Sequence, residues 1–239
     1  MPDPTSGNRP LKILLTGANG YIGMRLLPQL MRQGHHVVCA VRDAKRLSVD
    51  TETRKKIEIV EVDFLKDPLE GVFSPDYDVV YYLIHSMSSS TTDFDKREAQ
   101  AAQNFNVYMK QACPTQVIFL SGIVNNDKLS KHLSSRKKVE EILYEGPFAL
   151  TVLRAGIIVG SGSSSFEIIR DLCEKLPLMI TPKWVLTRTQ PIAIRDVIQF
   201  LTGVLAVSYT HLRAQETSMP ISDADFCWSA GAGGGGGGG

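Results

Sequence analysis

A glycine-rich loop near the N-terminus constrains the fold of this chain more than any other feature. Gly17, Gly20 and Gly23 follow one another at intervals of three residues. They come directly after the short apolar run Lys12–Thr16 and overlap the start of Tyr21–Arg32, where apolar residues recur at helical spacing. The pattern predicts a buried strand, a tight turn and a helix, which is the opening unit of a parallel α/β sheet.

The same glycines predict a ligand. In a strand-to-helix turn they allow tight turning, close approach of the backbone to a pyrophosphate, and close packing of helix on strand. The phosphates then lie at the helix N-terminus, where free N–H groups and the helix dipole favour anions. We therefore predict a dinucleotide site in which the following loop residues contact the cofactor: Thr16, Gly17, Asn19, Gly20, Tyr21, Ile22 and Gly23.

The rest of the chain alternates strand and helix patterns. Apolar runs predict strands at His36–Val41, Ile57–Val62, Asp78–Leu83, Gln116–Leu120 and Ala149–Leu153, and helical patterns lie at Thr92–Ala112 and Ser130–Tyr144. The alternation predicts an α/β fold with a Rossmann-type, doubly wound parallel sheet. We expect a disordered lead over 1–10, the dinucleotide-binding domain over 11–160, and the beginning of a smaller substrate-facing part over 161–206.

Composition narrows the possible partners and compartments. With 43% hydrophobic and 21% charged residues and a formal net charge of +1, the chain has no basic field that would favour nucleic acid. It has neither a signal-peptide pattern before the first strand nor an apolar run long enough to span a membrane, so a cytoplasmic location is expected. The four cysteines, Cys39, Cys113, Cys173 and Cys227, form no pair at metal-ligand spacing, and no metal site is predicted.

The C-terminal stretch 207–239 differs from the rest of the chain. It loses helical periodicity and ends in the glycine run Gly233–Gly239. The eight residues Val207–Ala214 correspond to a translated DNA string that resembles a transposase adapter used in DNA sequencing. We therefore expect 207–239 to be a disordered, non-native tail, and the native sequence to stop, truncated, near Ala206.

Several motifs carry a family resemblance. The T-G-x-x-G-x-x-G spacing is the pattern of short-chain dehydrogenases/reductases, particularly their extended and atypical members. Four segments, Tyr81–Met87, Leu133–Glu140, Leu153–Gly162 and Thr187–Asp196, look like bacterial NmrA-like atypical reductases, which are described only as NAD(P)-binding proteins. The resemblance spans Leu11 to Ala206 and implies a nicotinamide dinucleotide as the cofactor.

The residues after the second strand bear on which dinucleotide binds. An arginine there favours the 2′-phosphate of NADP(H), whereas a carboxylate favours the free ribose hydroxyls of NAD(H). Arg42 at the strand end, followed by Lys45 and Arg46, favours NADP(H), while Asp43 keeps NAD(H) as the alternative.

The resemblance extends the cofactor site to the next two strands. It places Asp63, together with Phe64, where the superfamily contacts adenine, although an aspartate there could equally form a turn. It places His85 where the chain passes the ribose on the nicotinamide side. A histidine at that point is equally compatible with a structural role.

The resemblance also shows where catalytic residues are expected. The superfamily uses a tyrosine and a lysine four residues apart, assisted by a serine. Alignment of Glu140 with the end of that pattern places His132 at the tyrosine and Arg136 at the lysine, so the usual pair is absent. His132 is a candidate proton donor or an ordinary exposed histidine, and Arg136 would supply charge and ribose contacts. Ser121 lies near the serine position, which Gly122 could occupy instead.

Two functions are therefore compatible with the sequence. The first is an NADPH-dependent reductase or isomerase acting on a small carbonyl compound. The second is a non-catalytic module that binds NADP(H) for redox sensing or regulation, as NmrA-like proteins do. Loss of the tyrosine and lysine favours the second, while the ability of atypical members to transfer hydride without that pair keeps the first.

Overall fold

The computed structural model describes residues 9–85, 94–123, 131–163, 166–167, 170–171, 174, 191–211 and 217–220. Its strands are β1 Lys12–Thr16, β2 His36–Val41, β3 Glu58–Glu61, β4 Val79–Tyr82, β5 Gln116–Gly122, β6 Ala149–Ala155, β7 Ile157–Val159, β8 Pro191–Ala193 and β9 Thr217–Pro220. Its helices are α1 Gly23–Arg32, α2 Thr51–Lys56, α3 Phe94–Ala112, α4 Lys131–Tyr144 and α5 Ile194–His211, with a 3₁₀ turn at Ala44–Arg46.

The main sheet has seven strands in the order β3-β2-β1-β4-β5-β6-β9, and all its neighbouring strands are parallel. The predicted Rossmann-type fold is thereby confirmed. The strand order reverses between β1 and β4, where the chain crosses from one half of the sheet to the other. In open α/β sheets, a ligand crevice forms at the carboxyl ends of the strands at this reversal.

Alternate residues of each strand supply two separate hydrophobic layers. Leu14 of β1 faces the layer formed with α3 and α4, which contains Phe105 and Leu143. Its neighbours Ile13 and Leu15 face the opposite layer, formed with α1 and α5. Because both faces of the sheet are covered, the central strands β2 and β4 are apolar at nearly every position, as expected for a buried parallel sheet.

Helix α5 is tied to the centre of the sheet by one buried hydrogen bond. The hydroxyl of Tyr81 on β4 donates to the backbone carbonyl of Leu201 at 2.6 Å. Burial holds the pKa of the Tyr81 phenol well above its usual value, so this proton stays on the oxygen. The contact fixes the helix that covers one face of the sheet beneath the crevice.

The chain leaves the main sheet after β6. Strand β7 pairs with β8 in a small parallel sheet of two strands, in register from Ile157 with Pro191 to Val159 with Ala193. Strand β7 comes just before the part over 161–206 that the sequence predicts to face substrate, and β8 lies within that part. Within the described ranges, no helix is long and apolar enough to cross a membrane.

Part of the stretch predicted to be a disordered tail has regular backbone structure. Helix α5 continues to His211, and Thr217–Pro220 pair with β6 as the outermost strand. The edge of β6 presents backbone N–H and C=O groups that any extended segment can satisfy, whatever its side chains. The expected disorder is therefore not found at these residues, and the remainder of 207–239 lies outside the described ranges.

Candidate functional site

A cleft of about 380 Å³ opens at the reversal point of the sheet. Its walls come from the glycine loop, from the carboxyl ends of β2, β3 and β4, and from one residue of α3. The lining residues are Gly17, Asn19, Gly20, Tyr21, Ile22, Gly23, Ala40, Val41, Arg42, Val62, Asp63, Phe64, Leu65, Leu83, Ile84, His85 and Ala101. All the residues predicted to bind the cofactor, except Thr16, thus lie around one cleft.

Two of the three glycines are required by the fold itself. Gly17 has a φ of +67°, and a Cβ there would lie 2.5 Å from the carbonyl oxygen of Leu83 at the end of β4. A Cβ on Gly23 would lie 2.5 Å from the carbonyl oxygen of Gly17 and 2.8 Å from the Cα of Ala18. These glycines let the loop pass close to β4 and let helix α1 begin close to the loop.

Gly20 is different, because the protein leaves space next to it. A Cβ there would meet only the carbonyl oxygen of Gly17, at 3.1 Å, and the residue is exposed on the cleft. Its amide donates to that same carbonyl at 2.9 Å and closes the turn. The open side of Gly20 is a cradle that a side chain would fill, which is the arrangement that close approach of a pyrophosphate requires.

The start of helix α1 is suited to an anion. Its N-cap residue, Ile22, provides no capping side chain, and its first turn carries no acidic residue. The N-terminal N–H groups of a helix favour a negative charge unless a side chain already satisfies them. The loop and the helix end therefore fit the diphosphate of a dinucleotide.

Thr16 does not line the cleft, contrary to its predicted cofactor contact. Its side chain is fully buried; the hydroxyl donates to the carbonyl of Tyr81 at 2.8 Å and accepts from the amide of Leu83 at 3.2 Å. Both bonds join the end of β1 to the end of β4. Thr16 therefore supports the glycine loop from inside the protein, by joining β1 to β4.

Tyr21 and Arg25 form a wall between the glycine loop and the loop that follows β7. The Arg25 guanidinium lies 3.8 Å from the centre of the Tyr21 ring and donates to the carbonyl of Ser161 at 2.7 Å. The Tyr21 hydroxyl is buried without a hydrogen-bond partner in the described part of the chain. The hydroxyl lies next to Gly160, where a Cβ would come within 2.7 Å of it, so the glycine leaves room for the tyrosine.

Of the two residues that follow β2, Arg42 faces the cleft and Asp43 does not. Arg42 lines the cleft and is exposed. The Asp43 carboxylate turns away, because its Oδ1 accepts from the amide of Lys45 at 2.9 Å and caps the 3₁₀ turn. Glu61, at the end of β3, also serves this turn by accepting from the amide of Ala44 at 2.7 Å. At the end of β2, a cation rather than a carboxylate thus lines the cleft.

Asp63 and Phe64 line the cleft next to Arg42 and also have local roles. One carboxylate oxygen of Asp63 accepts from the amide of Leu65 at 3.1 Å and forms a turn. The Phe64 ring is 6% exposed and packs edge-on against Tyr108 in the core. Asp63 therefore forms a turn and also lines the cleft, and its contact with adenine stays a prediction.

His85 lines the cleft just after β4, and side chains of the protein interior hold its ring. The Nδ1 atom lies 2.8 Å from Oε1 of Glu98, which projects from α3 and is 3% exposed. The Phe94 ring meets the imidazole edge-on at 5.8 Å. His85 is therefore fixed by a buried carboxylate while its side chain keeps 29% of its surface exposed.

Arg136 does not reach the cleft, contrary to the role predicted from the lysine position. Its guanidinium donates to the carbonyls of Leu120 at 2.6 Å and Ile84 at 3.3 Å, and it stacks over the Phe119 ring. Burial lowers the pKa of Arg136 below its usual value, and the nearby Glu98 carboxylate partly offsets this effect. A lysine at this position would carry a single ammonium, whereas the arginine fork binds two carbonyls at once.

Of the other two catalytic candidates, only Ser121 has a described side chain. Ser121 is 6% exposed on β5, where it pairs with Arg154 of β6, and it does not line the cleft. His132 lies in the first turn of α4, but its side chain is outside the described residues.

The sequence analysis missed Glu98 and Ser135. The Ser135 hydroxyl donates to Oε2 of Glu98 at 3.1 Å, so the carboxylate receives polar contacts on both oxygens. A signal was present, because Glu98 shares the helical spacing of the buried residues Ala101, Ala102 and Phe105 on α3. A charged residue on the apolar face of a helix indicates a buried partner.

The fold and the cleft define a dinucleotide-binding protein of the Rossmann class. The chain belongs to the NAD(P)H-binding family, whose model matches residues 17–170, more than half of its length. Its cofactor is thus a nicotinamide dinucleotide.

The chain is similar to one curated relative, the chloroplastic divinyl chlorophyllide a 8-vinyl-reductase of Arabidopsis thaliana. The two are 21% identical over 210 residues, which cover 81% of this chain and 49% of the relative. The chain therefore spans about half the length of that relative.

Solved structures share the fold at low sequence identity. The UDP-glucuronic acid 4-epimerase of Bacillus cereus, in complex with UDP-glucuronic acid and NAD, matches with a TM-score of 0.67 and 19% identity, covering 89% of this chain and 77% of the epimerase. A UDP-glucose 4-epimerase from Stenotrophomonas maltophila, with bound NAD, matches with a TM-score of 0.67 and 16% identity over 89% of this chain and 78% of that one.

Proposed function

We propose that the cleft binds NADP(H) and that the protein is an atypical short-chain reductase of the NmrA-like group, acting on a small carbonyl compound. The choice of NADP(H) rests on Arg42 and Asp43 at the end of β2. Arg42 is presented to the cleft, while the Asp43 carboxylate is committed to a backbone amide. A guanidinium binds a phosphate through parallel charge-assisted hydrogen bonds, so it favours the 2′-phosphate.

The strand order supports one direction of binding. In the order β3-β2-β1-β4, the glycine loop follows the central strand β1, with Arg42 after β2 on one side and His85 after β4 on the other. With the diphosphate at the loop and the 2′-phosphate at Arg42, Asp63 and Phe64 border the adenine half. The nicotinamide half then extends towards His85.

The assignment of reductase activity rests on the His85 end of the cleft. When bound, the cofactor supplies a hydride to an acceptor carbon. Reduction of a carbonyl also requires a proton for the developing alkoxide, and a polar side chain is fixed at this end by a buried carboxylate. The curated relative is a reductase by name, which supports reduction as the reaction type, although the group it names is a vinyl group and not a carbonyl.

A second candidate function is supported by Arg136. Its guanidinium points into the protein and binds two backbone carbonyls, so α4 contributes no cation to the cleft through this residue. A module that binds NADP(H) to sense its redox state needs the nucleotide site but no proton donor. This candidate predicts nucleotide binding that depends on redox state, without turnover.

Binding measurements with NADPH and NADH test the choice of nucleotide. Arg42→Ala is expected to weaken NADPH binding by about tenfold or more, the value of a charge-assisted hydrogen bond, and to leave NADH binding almost unchanged. Arg32→Ala is the matched control, because Arg32 ends the 10-residue helix α1, about 15 Å from the glycine loop. Equal losses for both nucleotides, or equal losses in both variants, would overturn the NADP(H) assignment.

Turnover separates the two functions. The full chain is incubated with NADPH and a panel of small aldehydes and ketones, and oxidation of the nucleotide is followed together with formation of the alcohol. Alcohol formed in proportion to NADPH consumed supports the reductase. Tight binding that differs between NADPH and NADP⁺, with no alcohol from any member of the panel, supports the sensing module instead.

A further inference from the structure

We propose that His85, positioned by Glu98, is the proton donor at the nicotinamide end of the cleft. In this proposal the proton donor lies at the end of strand β4. The family pattern instead has a tyrosine on helix α4. The inference rests on the proposed reductase function and names the residue that completes its chemistry.

The first observation is the placement of the imidazole. His85 lines the cleft, and the sheet order puts it on the far side of the glycine loop from Arg42. Adjacent strands are about 4.8 Å apart, so the ends of β2 and β4 are separated by roughly 10 Å across the loop. A dinucleotide that is held at both Arg42 and the loop therefore extends its reactive half towards His85.

The second observation is the contact behind the ring. Oε1 of Glu98 lies 2.8 Å from Nδ1 of His85, and the carboxylate is buried. A carboxylate beside Nδ1 favours a proton on that nitrogen and fixes the orientation of the ring. The same arrangement orients the imidazole in acid–base enzymes that pair a histidine with a buried carboxylate.

The third observation is the support of Glu98 itself. Its Oε2 accepts from the Ser135 hydroxyl at 3.1 Å, and its Oε1 lies 3.8 Å from the Arg136 guanidinium. The phenol of Tyr82, buried on β4, also lies near Glu98 and Arg136, and burial raises the pKa of this phenol well above the ordinary value. These contacts hold the Glu98 carboxylate in place behind the His85 ring, so it can orient the imidazole in the cleft.

The proposed step balances in atoms and charge. Hydride from the bound nucleotide forms a C–H bond at the carbonyl carbon, and the C=O π pair moves to oxygen. That oxygen takes the proton from the His85 imidazolium, which leaves an alcohol, an oxidised nicotinamide and a neutral imidazole. Glu98 gives up no proton; it holds the ring before and after the transfer, and solvent restores the imidazolium.

Nitrogen NMR of the histidine rings tests the placement without relying on turnover. In ¹⁵N-labelled full chain, saturating NADP⁺ is expected to move the His85 ring signals and to leave those of His36, at the opposite end of β2, in place. Glu98→Gln is expected to change the tautomer signature of His85 in the nucleotide-free protein, because the Nδ1 partner is altered. Unmoved His85 signals under saturating NADP⁺ would overturn the proposal.

Turnover of the best carbonyl from the panel tests the donor role. His85→Gln is expected to lower the rate by roughly 100-fold, the usual contribution of a positioned acid, with little change in the Kd for NADPH. His36→Gln is the matched control and is expected to turn over like the wild type. Full activity of His85→Gln, or a loss confined to His132→Ala, would overturn the donor role while leaving the reductase function intact. A wild-type protein without turnover would overturn both.

Discussion

The guanidinium of Arg136 lies 3.8 Å from the carboxylate of Glu98, and the two side chains expose only 11% and 3% of their surface. The arginine also reaches the carbonyls at the ends of β4 and β5, through Ile84 and Leu120. This buried pair therefore joins helices α3 and α4 to β4, which ends at the cleft, and to its neighbour β5.

Removal of the arginine should cost substantial stability. Arg136→Met removes the guanidinium beside the buried Glu98 carboxylate and the donor to two backbone carbonyls, and we expect the free energy of unfolding to fall by about 3 kcal/mol. Urea denaturation measures this change. The double variant Arg136→Met with Glu98→Gln should recover part of the loss, because it also removes the buried negative charge. A single variant within about 0.5 kcal/mol of the wild type would contradict a stabilising pair.

Substitutions at two glycines of the loop should separate folding from binding. Gly17→Ala adds a Cβ at positive φ, 2.5 Å from a backbone oxygen, so the loop must shift and the free energy of unfolding should fall by about 2 kcal/mol or more. Gly20→Ala meets only one backbone oxygen, at 3.1 Å, and should cost less than about 1 kcal/mol.

For nucleotide affinity, Gly20→Ala should have a large effect, although its effect on stability is small. The added methyl group occupies the cradle proposed for the pyrophosphate, so Gly20→Ala should weaken NADPH binding by about tenfold or more in a protein that is still folded. Calorimetric titration and urea denaturation of the same two variants provide the comparison. Unchanged NADPH affinity in Gly20→Ala would mean that the diphosphate lies elsewhere.

The sequence was sufficient to predict the fold and the position of the glycine loop. Both depend on local patterns: apolar runs of strand length, helical periodicity, and glycines at a strand-to-helix turn. The order of the strands then places Arg42, Asp63 and His85 at one edge, because the carboxyl ends of parallel strands meet there.

The direction of individual side chains could not be predicted in the same way. Thr16 and Arg136 lie at the positions expected from the motifs, but their polar groups bind backbone carbonyls inside the protein. Glu98 is more than ten positions from His85 in sequence, and the two meet only because α3 packs against the sheet. Such contacts depend on tertiary packing, which a linear sequence motif does not describe.

The two described cysteines should differ sharply in reactivity. Burial raises the pKa of the Cys39 thiol to about 12, so it holds almost no thiolate at neutral pH, whereas Cys113 is exposed. In a Cys173→Ser, Cys227→Ser background, iodoacetamide at about pH 8 should label Cys113 and spare Cys39 until the protein is unfolded. Mass spectrometry of tryptic peptides measures both sites. Equal labelling rates in the folded protein would contradict the burial of β2.

His35 should make stability depend on pH. Burial lowers the pKa of its imidazole below the ordinary value of 6.5, and its Nδ1 accepts from the amide of Leu11 at 3.2 Å, a bond that needs the unprotonated nitrogen. The unfolded chain therefore takes up a proton at higher pH than the folded one. The contribution of His35 to stability is complete above about pH 7 and is lost as the pH falls through 6.5 towards the folded pKa.

Replacement of His35 by asparagine isolates this effect. The amide oxygen of Asn can accept from the Leu11 amide as Nδ1 does, but it does not titrate in this range. Urea denaturation of the wild type between about pH 7 and about pH 5 should show a fall in the free energy of unfolding that is smaller in His35→Asn. Parallel pH profiles for the two proteins would show that the histidine takes up its proton equally in the folded and unfolded states, and that its burial in the structure is incorrect.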